Sequence, residues 1–554
     1  MKKERILIVI VLVIAFLVHA SFINNGFTWL DHGDIEAGRA VLPISKLPYA
    51  FFNRFGETNF YRPLVTILNS LDAFFYGNSP QGYHLTNILL QVIVTLASFF
   101  FALSFFELSF VESSIVALMV GVHPLSILPV GAISYRQELL VVIFTFTTVV
   151  AYIRAQQTGK IIWKAGSLFF FWLALISKET ALFWVPALIF LWERGKNFKK
   201  LRHNLQYIIA FFLLAIIYGV FRLRAIPEIW STKIQNLSFS QALATRLSVF
   251  TVRLIDIINP ARPNFSDATL ITDMTVWKPW LAIFLLLAGV FIIYRKGKKS
   301  TVSKLLFFIL ITLLPSLSIL PLPRFSSPHY SYIAAPAAGV AAILIGRKVM
   351  NSFGSAGKAI FILLITIWIS GMTASTYTAG FLFKNDLTLF SQEVKRDDNF
   401  REGHFYLGDY YLRQRNFKQA VRHLEASLSE DARAIAFVDR PAAMVNLAGA
   451  YLSLQKIAEA EKLLIEVIRK SSGSNYLQAS YNLAVIAERK GDYRKVVGLL
   501  GGEINQWRQP EPLLLFVKGL IKTGKEDEAD NILENRLYIN DDKKRQEIIQ
   551  TFRQ

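Results

Sequence analysis

Long apolar runs separated by short polar breaks fill the first two thirds of the chain, and from about Lys384 onward polar residues return in every turn. A helix needs about 20 apolar residues to cross roughly 30 Å of hydrocarbon, so the first part predicts a bundle of membrane helices. Candidate spans are residues 6–22, 84–106, 113–131, 139–153, 162–176, 181–192, 205–223, 279–294, 305–322, 330–346 and 359–380, about eleven in all. Two of them, 162–176 and 181–192, are short for that thickness and predict a broken or re-entrant pair. The stretch Leu243 to Ile258, ended by Asn259-Pro260, is amphipathic; it reads as a surface helix, or as a further span that would reverse the sidedness of everything after it. Leu64, Leu68 and Leu71, between Pro63 and the Gly77–Pro80 turn, predict a helix lying on the membrane surface.

The polar tail carries a repeat. Leu407-Gly408, Tyr411 and Ala420 recur as Leu447-Ala448, Tyr451 and Ala460, then as Leu483-Ala484, Ala487 and Val496. A fainter copy is Phe516-Val517, Leu520 and Ala529, with Gly491 and Gly524 at the turns of the last two copies. Spacing and small residues resemble tetratricopeptide repeats of about 34 residues, with an insertion after the first. The chain is thus all-α: a polytopic membrane bundle over residues 1–383, then a solenoid over 384–554. Such a solenoid has no chemistry of its own; it holds proteins or peptides, or serves as a cap or dimerisation arm.

Composition agrees. Of 554 residues 53% are hydrophobic, with 45 Phe and 10 Trp, too apolar for an ordinary soluble protein. The net charge of +20 would fit nucleic acid, but the bases sit in short runs between apolar segments, as positive-inside loops do. With Met1–Arg5 inside, Arg154–Lys164, Glu193–Arg202, Arg295–Lys304 and Arg347–Lys358 are inner loops. Only Glu107–Glu112 carries no base. The first apolar segment reads as an uncleaved anchor or as a signal peptide cut near Val18-His19-Ala20; either way Asn24 emerges outside. With no Cys, disulfides, thiolate metal sites and thiol nucleophiles are excluded.

The outer connections each hold an isolated polar set. Residues 24–83 form the first and longest, with Asp31, Asp34 and Tyr61-Arg62-Pro63. Others carry Tyr135-Arg136-Gln137-Glu138, Ser177-Lys178-Glu179, and Arg324 with His329-Tyr330. Ionisable groups at that depth are costly unless paired, hydrated or used, and their gathering on one face predicts a shared outward site. Read singly, the acids could cap helices and the bases could snorkel.

In order, Asn25-Gly-Phe-Thr-Trp-Leu-Asp31, Tyr61-Arg-Pro63, Gly82-Tyr-His-Leu-Thr-Asn87, His123-Pro124, Ser134-Tyr-Arg-Gln-Glu138, Ser177-Lys-Glu179 and His329-Tyr-Ser-Tyr332 resemble a known family. It is the multispanning C-type (GT-C) glycosyltransferases with tetratricopeptide repeats, which include the eukaryotic transmembrane O-mannosyltransferases and bacterial relatives. The resemblance implies a hexosyltransferase of the cell membrane. Its donor is a polyprenyl-phosphate-linked sugar, and its acceptor, a protein hydroxyl or an envelope glycan, lies outside together with the repeats. The family's Trp-Asp-Asp pattern is here Trp29-Leu30-Asp31, which gives Asp31 the catalytic carboxylate; the late Arg-Tyr pair is His329-Tyr330, with Arg324 nearby.

A carboxylate can take the acceptor proton, and fixed cations can hold the phosphate as it leaves. Asp31 is the expected base, with Asp34 orienting the acceptor or a metal. Arg62, Arg136, Lys178, Arg324, His329 and Tyr330 are the candidate phosphate and substrate ligands, supported by Tyr61, His123, Glu138 and Glu179. No cofactor is assigned; a divalent metal on Asp31, His32 and Asp34 is conceivable, though their spacing is equally that of a polar turn. Single displacement with inversion is the expected course, and double displacement with Asp31 as nucleophile is the alternative. The alternatives are a non-enzymatic membrane-anchored scaffold for envelope proteins and, last, a transporter, which would need charges near the midplane of several spans.

Overall fold

A computed structural model describes residues 2–194, 205–227, 237–297, 300–317, 324–431, 433–507 and 509–553. The basic cluster Lys196, Lys199, Lys200 and Arg202, and Lys298 with Lys299, lie outside the described residues. The chain divides into two compact units, Met1–Asn399 with Ala432–Ala436, and Phe400–Asp431 with Phe437–Gln554.

The first unit runs through α1 (Lys2–His19), α2 (Pro63–Tyr76), α3 (Pro80–Phe105), α4 (Phe110–Gly121), α5 (Ile127–Gly131) and α6 (Arg136–Thr158). It continues with α7 (Ile161–Leu175), α8 (Ala181–Glu193), α9 (Leu205–Ala225), α10 (Phe239–Ile258), α11 (Trp277–Lys296), α12 (Thr301–Leu313), α13 (Pro336–Gly380) and α14 (Asp386–Arg396). Among the described residues, six helices are long and apolar enough to cross a membrane, or seven if the pair Phe110–Gly121 and Pro124–Gly131, bent by 47°, counts as one span. That is fewer than the eleven or so expected, for two physical reasons. The runs at α7, α8 and α12 form helices of 15, 13 and 13 residues, short for a full crossing. The expected spans 330–346 and 359–380 fall in α13, which counts once as a helix but breaks at Gly354 (φ 54°, ψ −130°), a backbone state open to glycine and inside the expected loop Arg347–Lys358. In a continuous helix Gly346 and Phe361 would lie about 22 Å apart. Here a methyl group on Gly346 would strike the Phe361 ring, so α13 doubles back as two legs.

α10 is not among the helices apolar enough to span. The break between α4 and α5 is held by His123: Nδ1 accepts the Leu125 amide (3.2 Å), leaving Nε2 to donate to the Ile257 carbonyl (2.9 Å). The loop without bases receives them from elsewhere. Lys304 reaches Glu107 (2.9 Å), and Arg347 grips Glu112 with two hydrogen bonds (2.6 and 2.7 Å).

The second unit is built of helix pairs: α15 (Arg401–Arg413) with α16 (Phe417–Leu428), α17 (Arg440–Ser453) with α18 (Ile457–Lys470), α19 (Ser474–Arg489) with α20 (Tyr493–Gly501), and α21 (Pro510–Lys522) with α22 (Glu526–Asn535), followed by α23 (Asp542–Arg553). The repeated sequence positions have a common physical cause. Ala420, Ala460, Val496 and Ala529 are fully buried, as are Leu424, Leu464, Leu500 and Leu533 one turn later. The amides of Asn416, Lys456, Asp492 and Lys525 all return to the carbonyls of Tyr411, Tyr451, Ala487 and Leu520, the hydrogen bond that closes a helix through a left-handed residue. That residue is Arg415 (φ 56°), Gln455 (φ 61°), Gly491 (φ 74°) or Gly524 (φ 80°). The first two carry a Cβ penalty of about 1–2 kcal/mol, partly offset by the chain freedom that glycine would lose. Arg415→Gly and Gln455→Gly should therefore each raise stability by up to about 1 kcal/mol, read as a higher temperature of proteolytic opening in the second unit of the full chain. No gain at either position would contradict this account of the turns. The middle of the insertion after the first pair, Ala432–Ala436, belongs to the first unit, where Ala434–Ile435 pairs antiparallel with Thr269–Leu270.

Candidate functional site

The loop after α1 is pinned before it reaches its acids. Asn25 donates to the Gly380 carbonyl (2.8 Å), and the Gly26 amide to the Lys384 carbonyl (3.2 Å). Trp29 then turns left-handed (φ 60°), a strained state for an indole-bearing residue. Its surroundings hold it there: the amide donates to Asp386 (2.9 Å), and the buried ring meets Tyr135 and Phe390 edge-on. His32–Glu36 continue as a single π turn, the kind of wide turn that recurs at functional positions.

That turn separates the two acids. Asp31 is fully buried, and its carboxylate accepts the amides of Ser134 (2.7 Å), Ile133 (3.2 Å) and Thr28 (3.4 Å). It ties the first loop to the segment that opens α6. Asp34 is only partly buried and lines a cleft. Also lining the cleft are Arg62, Glu138, Lys178, Glu179, Arg324, His329 and Tyr330, which come from separate connections of the chain. Phe55, Phe60, Tyr135 and Trp184 supply aromatic walls.

The charges inside are interlocked. Lys178 pairs with Glu138 and stands 5.3 Å from the centre of the Tyr330 ring. Arg62 lies over the Phe60 ring at 4.0 Å, with Glu179 at 3.7 Å. The Arg324 guanidinium is 5.8 Å from the Trp29 ring and 6.0 Å from that of Tyr135. His329 sits with Nε2 3.7 Å from Glu138 and Nδ1 2.6 Å from the Ser327 hydroxyl. Burial, followed by the charges of Lys178, Arg324, Arg62 and Arg253, holds His329 well below its ordinary range, so it is a neutral imidazole at pH 7.

Burial pushes the Asp34 carboxyl up to about 7; the Ser134 hydroxyl lowers it, Asp31 raises it, and Arg62 and Arg39 lower it. Burial likewise pushes Asp31 up to about 6, opposed by the Ser134 amide and hydroxyl and by the Ile133 and Thr28 amides. A carboxyl with a pKa near neutrality can exchange a proton at physiological pH, the property required of a general base.

Four of the expected site residues do not line the cleft. Asp31 is bound to backbone amides, as described. Arg136 is fully buried in a different knot: it pairs with Asp72 (2.6 Å) and donates to Asn87 (2.8 Å), Asn69 (3.1 Å) and the Tyr83 carbonyl (3.3 Å). Phosphate therefore has no access to it; it locks α2 and α3 to α6. Tyr61 donates to the Phe51 carbonyl (3.0 Å) and packs on Tyr218. His123 serves the α4–α5 break. The conceivable metal triad is also pulled apart, because His32 is held between Glu36 (2.6 Å) and Asp386 (2.8 Å) while Asp31 faces amides. Among the described residues no cluster of three His, Asp or Glu is arranged to hold a metal.

Sequence reasoning gave no site role to Thr58, Ser134, Gln137, Thr180 and Trp184, which also line the cleft. Gln137 and Ser134 sit inside a motif already singled out, and Thr180 directly follows Glu179. Trp184 is hidden in the apolar run of α8, where nothing marks one ring as facing a cleft.

Residues 411–481 match the family model for the tetratricopeptide repeat. The chain is similar to Protein O-mannosyl-transferase TMTC2 of Homo sapiens, 28% identical over 150 residues, which are 26% of this chain and 18% of that protein. It is likewise similar to Protein O-mannosyl-transferase tmtc2 of Xenopus laevis, 26% identical over 154 residues, again 26% and 18% of the two chains. The Mus musculus TMTC2 matches at 26% identity over 150 residues, with the same coverage. The match thus spans less than a fifth of the length of these curated relatives. Apolar helices in the first unit and repeats in the second make this a multi-pass membrane protein with a tetratricopeptide-repeat domain, similar at low identity to protein O-mannosyl-transferases.

Proposed function

We propose that the protein is a membrane glycosyltransferase that moves a hexose from a polyprenyl-phosphate-linked donor to an acceptor hydroxyl outside the cytoplasm, with the repeat domain presenting the acceptor. The observation that carries this reading is the cleft itself: three carboxylates, Asp34, Glu138 and Glu179, share it with three cations, Arg62, Lys178 and Arg324, drawn from separate loops. Similarity to protein O-mannosyl-transferases supports the same class of reaction.

In the proposed step Asp34 accepts the proton of the acceptor hydroxyl as its oxygen bonds to the anomeric carbon. The bond from that carbon to the phosphate oxygen breaks, and its electron pair leaves with the phosphate. Arg324, Arg62 and Lys178 stabilise the charge that gathers there, in a cleft where water is scarce. A guanidinium can grip two phosphate oxygens at once, which favours the two arginines for direct contact. Asp34 takes the role that the sequence assigned to Asp31, because both oxygens of Asp31 are occupied by amides. Asp31 instead positions the loop. Glu138 and Glu179 hold Lys178 and Arg62 in place.

The base works only when ionised. With Asp34 near 7, transfer should rise about tenfold per pH unit below neutrality and level off above it. A flat profile between pH 5.5 and 8 would remove Asp34 from the role. The overall reading is tested by incubating membranes containing the chain with polyprenyl-phosphate mannose and an exported acceptor protein. Sugar transfer above membranes lacking the chain is expected; its absence with mannose, glucose and galactose donors alike would overturn the proposal.

A further inference from the structure

The charges of the cleft largely satisfy one another, but several of its neutral polar groups do not. The Gln137 carbonyl oxygen, the Thr180 hydroxyl and the Trp184 indole N–H are buried and make no hydrogen bond among the described residues. Gln137 and Trp184 are 4% and 1% exposed. Native folds seldom leave buried polar atoms unpaired, and three on the wall of one cleft call for a common explanation. Together they offer an acceptor, a donor and a group that can be either. A ring bearing hydroxyl groups can serve all three at once, since each hydroxyl both donates and accepts.

Their placement narrows the ligand further. Gln137 precedes Glu138 and Thr180 follows Lys178-Glu179 in the chain, so two of the orphan groups are sequence neighbours of the Lys178–Glu138 pair, and all three line the same cleft. In a phosphate-linked sugar the anomeric carbon is one oxygen away from phosphorus. A phosphate held by the cations would therefore leave its sugar ring within reach of these neighbours. Aromatic walls from Trp184 and Tyr330 suit the C–H faces of such a ring.

We infer that Gln137, Thr180 and Trp184 form the subsite that reads the hydroxyl groups of the transferred sugar, and so set which hexose is accepted. This assignment rests on the proposed donor. It goes beyond it by separating recognition of the sugar from that of its phosphate. A site built around hydrogen bonds rejects ligands that leave its polar groups unpaired, so the choice among epimers is made here.

The test uses the purified full-length protein and two probes, polyprenyl-phosphate mannose and bare polyprenyl phosphate. Gln137→Met and Thr180→Val each remove a polar group at nearly constant volume, and Trp184→Phe removes the indole N–H while keeping an aromatic ring. Each should weaken binding of the sugar-bearing lipid about tenfold and leave binding of the bare phosphate lipid unchanged, which also shows that the variant is folded. Equal binding of the sugar-bearing lipid by wild type and all three variants overturns the assignment. Equal loss for both probes overturns it as well, because the residues would then be shaping the cleft rather than reading sugar. Failure of wild type to bind either probe overturns the donor reading and this subsite with it.

Discussion

Asp34→Asn should lower sugar transfer by about 10²–10⁴-fold, the usual worth of a positioned general base. The substitution keeps the size of the side chain and removes only its ability to take a proton. Asp34 is partly exposed to the cleft and close to neutrality in its titration, so the Asn variant should fold normally and still bind the donor. The loss should thus fall on kcat, with KM for the lipid little changed. Asp31→Asn makes the informative contrast. Asn offers one acceptor oxygen where the carboxylate serves three amides, so the strained Trp29 turn and the start of α6 lose their common anchor. That variant should be less stable and should lose transfer in proportion to misplacement of Asp34, without a change in the shape of the pH profile. Full activity in Asp34→Asn would return the chemistry to some other group.

The largest stability effect is expected at Arg136. Its guanidinium is fully buried, and four partners on α2 and α3 depend on it. Arg136→Met fills most of the volume but leaves the Asp72 carboxylate buried without its cation. Breaking a buried pair from one side costs about 3–5 kcal/mol, because the remaining charge stays desolvated. Thermal unfolding of the full chain in detergent should show a clear fall in Tm. Pairing the change with Asp72→Asn should recover part of it, since no uncompensated charge then remains. A fall no larger than that of a surface substitution would mean that α2 is held by its Leu64 and Leu68 contacts instead.

The sequence made the helices and repeats legible because both have periods. Apolar runs mark α3, α6 and α9, and the recurrence of Tyr411 as Tyr451 marks the turn that closes each repeat. The reversal of α13 at Gly354 falls inside the basic stretch Arg347–Lys358 that the sequence marks as a loop between two spans, but the sequence did not show that helix would continue on both sides almost up to that glycine. The helix from Pro63 was legible from its leucines, but not that its opposite face, with Asn69 and Asp72, would be buried around Arg136. The choice between Asp31 and Asp34 was hidden for a related reason. They are three residues apart, and which one faces the cleft depends on the left-handed Trp29 and the π turn after it, neither of which has a periodic signature. Arg136 and Gln137 illustrate the same limit: the more eye-catching residue went to the scaffold and its neighbour to the cleft. Asp386, a solitary acid just past the last apolar run, secures both the Trp29 amide and His32, and only tertiary structure reveals that task.

The most direct test asks whether the donor occupies this cleft from the outer side. The chain has no cysteine, so Thr58→Cys, on the cleft wall and outside the proposed chemistry, introduces a single thiol. In sealed membrane vesicles of known orientation, a membrane-impermeant thiol reagent should label it from the face opposite the N-terminus, and polyprenyl-phosphate mannose should slow that labelling at least tenfold. Labelling only from the N-terminal face, or at the same rate with saturating donor, would contradict the account.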